Sequence, residues 1–255
     1  MNKKPIISII TTVYNSLDSL NRSVKSVLNQ TYSNIEYIII DANSDDGSKE
    51  FLQKISLKHN DKIKFFSEKD QGIYDGLNKG LSKVTGDIIG FLHADDFFSD
   101  KFVLEKVVSN IVNNNVDAIY GNLKYFKQTN EIKIYRNWKS KSYSYSSLLF
   151  GWMPAHPTFF AKRNVYDELG KFNIKYKISG DYDFMLRFFL SKKFKTLHLN
   201  EYLVYMKVGG ASNGSLYKQL SKSKEDYLII KENNFGSIFT IIFKILRKIK
   251  QFIIN

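Results

Sequence analysis

Apolar residues fill positions 6–13 with only Ser8, Thr11 and Thr12 interrupting, and the run stops at Tyr14-Asn15. A short apolar run rich in isoleucine and bounded by polar residues reads as a buried strand. Leu17, Leu20, Val24, Val27 and Leu28 follow at i, i+3, i+4 spacing, the stripe of an amphipathic helix. The alternation then repeats. Positions 35–40 form a second strand, stopped by Asp41-Ala42-Asn43-Ser44-Asp45-Asp46-Gly47, and a helix starts near Ser48. A third strand lies near 63–66. Ile73, Leu77, Leu81 and Val84 mark another helix, and a fourth strand over 87–92 runs straight into His93-Ala94-Asp95-Asp96.

Strand–helix–strand at this pitch implies right-handed crossovers and a mostly parallel sheet with helices on both faces. In such α/β sheets ligands bind outside the carboxyl ends of the strands. Thr12, Tyr14 and Asn15 leave the first strand, Asp41 leaves the second, and Asp95 and Asp96 leave the fourth, so one rim collects them. Beyond residue 115 the pattern loosens. Positions 116–121 suggest another strand, 123–135 a hairpin turning at Thr129-Asn130, and 180–190 a helix carrying Phe184, Leu186, Phe188 and Phe189. No internal repeat or low-complexity linker appears. The reading is one domain over 1–236, followed by a distinct tail over 237–255.

The chain has 255 residues and no cysteine, which suits one large domain and excludes a disulfide scaffold, a thiol nucleophile and cysteine-bound zinc. Lys3 and Lys4 precede the first apolar run, yet its polar interruptions and lack of a small-residue cleavage site argue against a signal peptide. No stretch approaches the roughly 20 apolar residues of a membrane span. The formal charge of +13 calls for a polyanion, with nucleic acid and anionic lipid as the two candidates.

Neither G-x-G-x-x-G nor a P-loop occurs, so any phosphate at the rim must be met by other means. Asp95-Asp96 at a strand end suits a hard divalent cation, Mg²⁺ or Mn²⁺, bridging carboxylates to diphosphate oxygens. The competing reading is a helix cap, a role for which Asp100 is better placed. Gly72, Gly76 and Gly80 recur every four residues and indicate close helix packing. His59 and His198 have no partners at metal-ligand spacing.

Five ordered segments resemble family-2 glycosyltransferases: Ile9-Ile10-Thr11-Thr12-Val13-Tyr14-Asn15, Ser26-Val27-Leu28-Asn29-Gln30-Thr31-Tyr32, the turn from Asp41 to Ser48, the segment from Asp70 to Gly80, and the acidic turn after Leu92. Gly180-Asp181-Tyr182-Asp183 looks like the family's later acidic segment, and the likeness covers roughly 5–212. The resemblance implies the GT-A fold, with a nucleotide-binding half over about 1–121 and an acceptor-binding half over about 122–236. It also implies a nucleotide-diphosphate-sugar donor, a Mn²⁺ or Mg²⁺ ion and inversion at the anomeric carbon. Thr12, Tyr14 and Asp41 would hold the nucleoside, favouring UDP, and Asp70 would add a donor contact. Asp95, matching the last acid of the family's Asp-x-Asp, would be a metal ligand. His93 stands where the first acid usually is, so either Asp95 and Asp96 share the metal work or His93 adds a neutral ligand. Asp181 matches the general base. Its competing reading is a helix cap after Gly180, and Asp183, two residues on, points about 200° away on a helix. Lys207, in a glycine-containing segment, is the candidate cation for the leaving diphosphate, or else a solvated loop lysine. His156 either lines the acceptor side or is a satisfied core residue.

A sugar nucleotidyltransferase would want a basic, glycine-rich first loop, which Tyr14-Asn15-Ser16 is not. A nucleic-acid-binding protein would interleave aromatics with cations on an exposed surface, and Tyr143 and Tyr145 with Lys139 and Lys141 are the nearest approach. The tail offers a different polyanion. On a helical projection Thr240, Lys244, Arg247, Lys248 and Gln251 fall on one arc, with isoleucine, leucine and phenylalanine around the rest. That pattern fits either a docking helix or one lying on an anionic membrane, isoleucines among acyl chains and cations near headgroups. The latter predicts a cytoplasmic protein, peripheral on the inner face of the cell membrane and acting on a lipid-linked saccharide acceptor, as in lipopolysaccharide or capsule assembly.

Overall fold

The computed structural model describes residues 4–129, 131–209 and 216–253. The first seven elements follow the expected alternation: β1 (Ile7–Val13), α1 (Leu17–Leu28), β2 (Ile35–Asp41), α2 (Ser48–Lys58), β3 (Ile63–Ser67), α3 (Ile73–Leu81) and β4 (Ile88–Phe91). Then come β5 (Phe97–Phe98), α4 (Val103–Asn113), β6 (Ala118–Gln128), β7 (Ile132–Trp138), α5 (Tyr145–Leu149), β8 (Phe160–Lys162), α6 (Arg163–Leu169), α7 (Gly180–Ser191), β9 (Thr196–Lys207), α8 (Leu216–Glu232) and α9 (Ile238–Ile253).

Among the described residues the strands form one sheet in the order β3-β2-β1-β4-β8-β6-β9-β5, with β7 paired to β6. The four strands of the alternating half run parallel, and β8 joins β4 antiparallel. The sheet is thus parallel where the sequence alternates and mixed beyond it. β1 reads as nearly continuous apolar sequence because both of its faces are covered. Ile7, Ile9 and Val13 pack with Leu20 and Val24 of α1 and with α4, while Ile10 packs on the other side with Leu77 of α3. The polar interruptions are absorbed by hydrogen bonds. Ser8 Oγ donates to Glu36 at 2.5 Å, and Thr11 Oγ donates to the Leu92 carbonyl at 2.6 Å. Close packing of α3 on β1 explains two of the three spaced glycines. A Cβ on Gly80 would stand 2.4 Å from the Ile10 side chain, and one on Gly76 would stand 2.9 Å from Thr12.

The second half departs from expectation in detail. The strand expected over 116–121 and the first arm of the hairpin merge into one long strand, β6, whose register against β9 shifts around Asn122 and so accommodates Gly121-Asn122. The hairpin turn lies between β6 and β7, with Asn130 outside the described residues. Because β6 crosses residue 121, the two halves share one sheet. No helix among the described residues is long and apolar enough to cross a membrane.

Candidate active site

One cleft of about 790 Å³ opens at the carboxyl ends of β1 and β4 and is closed on its other side by α7, α8 and α9. Thr12 and the two-thirds-exposed Tyr14 reach it from the end of β1. Asp70 enters from the loop before α3, where its Oδ1 accepts the Gly72 backbone N–H at 3.0 Å. Burial raises the Asp70 carboxyl above its ordinary pKa. Asp41, expected as a donor contact, lies behind the cleft-lining Ala42 and Asn43. It is fully buried, its oxygens taken by Ser44 Oγ at 2.5 Å and Ser67 Oγ at 2.7 Å, so that it shapes the loop presenting Ala42 and Asn43.

The turn after β4 is closed by the Asp96 N–H donating to the His93 carbonyl at 3.0 Å. Asp95 faces the cleft, accepting from Ser19 Oγ and standing 3.5 Å from Lys207 Nζ. Asp96 is buried. One oxygen accepts the Lys207 backbone N–H at 3.0 Å and the other has no partner, and burial pushes its pKa up to about 8. The cap reading fails for this pair, because the next helix starts only at Val103 and it is Asp100 that accepts the Phe102 N–H, at 2.7 Å. No group of three His, Cys, Asp or Glu side chains among the described residues could hold a metal alone. Two adjacent carboxylates, one with an unpartnered buried oxygen, fit a hard cation that takes its other ligands from a diphosphate and water. His93 is half-buried, with its Nδ1 shielded from solvent and unpartnered, and desolvation lowers its pKa to about 4, so it is neutral near pH 7. Lys207 ends a strand and meets both carboxylates, so it is not a free loop lysine; Gly210 lies outside the described residues.

Asp181 occupies the first turn of α7, and Tyr74 places it there. A Cβ on Gly180 would meet the Tyr74 ring at 2.9 Å, so only glycine lets that ring lie against the helix start. The Tyr74 hydroxyl is then 3.0 Å from Asp181 Oδ1 and 2.8 Å from the Ile178 carbonyl oxygen. Burial alone would raise the Asp181 pKa, but Lys222, His156, Lys244 and the Tyr74 hydroxyl outweigh it and hold the carboxyl below its ordinary value. A half-buried carboxylate kept ionised by cations can accept a proton from a substrate hydroxyl. Asp183 has another task. It is 4% exposed and paired to Arg187 Nε at 3.0 Å, and Arg187 in turn donates to the Leu169 and Lys171 carbonyls. His156 lines the cleft, stacked on Phe91 at 5.4 Å, with neither ring nitrogen partnered.

The tail requires a correction. α9 packs on the body with its cationic arc inward: Thr240 and Ile241 are buried, and Lys244 and Lys248 line the cleft. Ile238, Phe239, Ile242, Phe243, Ile245 and Leu246 face outward. The expected placement of Lys244 and Lys248 at lipid headgroups therefore does not hold. Lys244 Nζ instead pairs with the buried Asp226 of α8 at 2.8 Å. Tyr74, Arg136, Tyr182, Lys222, Lys244 and Lys248 are cleft residues that sequence reasoning did not assign to a site. For Tyr74 a signal existed in the Asp70-to-Gly80 segment. For the lysines only the helical arc was visible.

The sequence pattern described as Glycosyl transferase family 2 matches residues 8–186. An uncharacterized glycosyltransferase of Haemophilus influenzae is 35% identical over 213 residues, covering 83% of this chain and 82% of that protein. A PGL/p-HBAD biosynthesis glycosyltransferase of Mycobacterium bovis is 27% identical over 220 residues, covering 86% and 83%. Among solved structures, S. aureus TarS 1-349 in complex with UDP-GlcNAc superposes with a TM-score of 0.67 at 16% identity, over 95% of this chain and 67% of that one. This chain spans only 43% of the longer TarS chain. The mannosyltransferase PcManGT from Pyrobaculum calidifontis, in complex with GDP-Man and Mn²⁺, gives 0.67 at 16% identity over 97% and 69%. At such identities these structures show a shared GT-A fold.

Proposed function

The chain belongs to glycosyltransferase family 2, and from that premise we propose that it transfers a sugar, with inversion, from a UDP-sugar to a lipid-linked saccharide in the assembly of a bacterial surface glycan. The observation that carries this reading is the presence in one cleft of an ionised, half-buried carboxylate, Asp181, and a separate acidic turn, Asp95-Asp96, backed by Lys207. The solved fold neighbours hold UDP-GlcNAc and GDP-Man, which favours a nucleotide-sugar donor here too.

Tyr14, exposed at the mouth of the cleft, offers its ring face to the base, and Thr12 and Asp70 offer hydrogen bonds to the nucleoside and donor. Asp95 and Asp96 would hold a Mn²⁺ or Mg²⁺ ion, which when bound neutralises charge on the donor diphosphate. The Lys207 ammonium adds positive charge where the leaving group develops its negative charge. Asp181 takes the proton of the acceptor hydroxyl as that oxygen bonds to the anomeric carbon. The bond from that carbon to the diphosphate oxygen breaks, its electron pair leaves with the nucleoside diphosphate, and the configuration inverts. His156 is positioned to contact the acceptor.

The outward face of α9 supplies the membrane side of the proposal. Its six exposed apolar side chains, on a protein of charge +13, suit a bilayer with anionic headgroups, where the face inserts and the overall charge attracts. A nucleotide-release screen across UDP-, GDP- and dTDP-sugars, with bacterial lipid extract as acceptor, tests the reaction. Release of UDP that depends on both the lipid extract and Asp181 is the expected result, and release that persists in Asp181→Asn would overturn it.

A further inference from the structure

The inner side of α9 brings more positive charge into the cleft than a neutral sugar acceptor needs. Lys244 and Lys248, one turn apart on α9, line it together with Lys222 of α8 and Arg136 of β7. Against these cations the same region offers Asp181 and, beneath Lys244, Asp226. Lys222 and Lys248 have no carboxylate at ion-pair distance among the described residues. Their proximity is unfavourable: burial lowers the Lys244 pKa to about 8 and lowers that of Lys248, and Lys222 lowers both further, against the opposing charge of Asp226. Clustered, partly buried ammonium groups are costly unless an anion accompanies them.

The position of the cluster narrows the choice of anion. A second cavity, of about 260 Å³, shares Trp138, Met153, Lys244 and Lys248 with the cleft and continues beneath α9 along Arg247 and Gln251. The lysines therefore stand where the cleft meets a side cavity under the helix whose outer face is apolar. The donor's diphosphate is served by other elements, the turn after β4 and the end of β9. Lysines act as point charges toward phosphate, and three of them on two helix faces can surround one such group.

We propose that Lys222, Lys244 and Lys248 form a subsite for a phosphate group carried by the lipid-linked acceptor, an inference that rests on the glycosyl-transfer reading above. Such a phosphate would be seated beside Asp181, with the lipid leaving by way of the side cavity toward the apolar face of α9. A bound phosphate also offsets the field of Lys222 and Lys244 at Asp181. The carboxylate becomes a stronger base once the acceptor is in place, which couples acceptor binding to proton removal.

Isothermal titration of the full chain, saturated with UDP and Mg²⁺, tests the subsite with three probes: geranyl phosphate, geraniol and inorganic phosphate. Geranyl phosphate is expected to bind at least about tenfold more tightly than either of the others. Lys248→Gln and, separately, Lys222→Gln should each weaken it by about fivefold or more while leaving geraniol unchanged. UDP affinity, unchanged in both variants, certifies the fold and the donor site. Equal binding of geranyl phosphate and geraniol, or indifference to both substitutions, overturns the subsite. Inorganic phosphate binding as tightly as geranyl phosphate overturns its assignment to a lipid-borne acceptor. Failure of the wild-type protein to bind UDP would sink the UDP-donor reading instead, and the phosphate comparison would remain readable without UDP.

Discussion

Lys244 of α9 reaches back to Asp226 of α8, with Nζ 2.8 Å from Oδ2 and the ammonium 3.1 Å over the ring of Tyr182, the residue that follows Asp181. This contact joins the last helix to the helix that carries the proposed base. Gly151 permits it: with φ at +70°, a Cβ there would stand 2.3 Å from the Lys244 backbone nitrogen. The tail is therefore a wall of the cleft.

Removing either partner of the Lys244–Asp226 pair uncovers a buried charge, so Lys244→Met and Asp226→Asn should each destabilise by about 3–5 kcal/mol. The double variant should lose clearly less than the sum. Urea denaturation of the four proteins measures this coupling, and strict additivity would show that the pair is not coupled.

Asp181→Asn keeps the size of the side chain and removes its basicity. The transfer rate should fall by roughly two to four orders of magnitude with donor affinity nearly unchanged. Asp183→Asn should act on stability, since it breaks the contact that orders Arg187. If Asp183→Asn is inactive yet fully stable, and Asp181→Asn turns over, the base is the other carboxylate.

Lys244 also lowers the proton affinity of Asp181. Replacing it with methionine raises the Asp181 pKa, so the acid limb of the kcat profile should move to higher pH. A limb that stays in place would remove Lys244 from the electrostatics of the base.

Far from the cleft, Glu36 provides a test of acid stability. Burial alone would raise its pKa, but hydrogen bonds from Lys64 at 2.6 Å, Ser8 at 2.5 Å and Thr85 bring it from 4.5 to about 2. The unfolded chain takes up the proton first as pH falls. The contribution is therefore complete above about pH 4.5 and is lost progressively down to about pH 2. Between pH 6 and pH 3, urea midpoints should fall more steeply for the wild type than for Glu36→Gln. Parallel curves would contradict this.

Membrane attachment and metal use are tested on different parts of the molecule. Phe239→Glu with Leu246→Glu charges only the outer face of α9, so the protein should leave anionic liposomes and keep its UDP-sugar hydrolysis; continued co-sedimentation would exclude this face as the anchor. In EDTA, transfer should cease and return with Mn²⁺ or Mg²⁺, and Asp95→Ala should weaken donor binding as well as turnover. Full activity in chelator would remove the cation from the mechanism.

The strands of the first half were readable because a central parallel strand is buried on both faces and so appears as a nearly unbroken apolar run, as at β1 and β2. The polar residues ending those runs marked a rim, and Thr12, Tyr14, Asp95 and Asp96 do meet in the cleft. Strand-end position did not tell that Asp41 turns to Ser44 of its own loop and Ser67 at the end of β3. β5 and β9 gave little signal: one has two residues, and the other, half-exposed between β6 and β5, mixes polar and apolar positions.

For the C-terminal helix, sequence alone established the period of 3.6 residues and the separation of a cationic arc from an apolar one. Amphipathicity says that two environments meet along a helix. It does not say which of them is the protein. That was decided by Asp226, buried on α8 and needing a cation, and by Gly151, whose missing side chain lets the helix backbone approach. Both lie on other elements, so only the folded chain turns the lysines toward the cleft and the isoleucines outward.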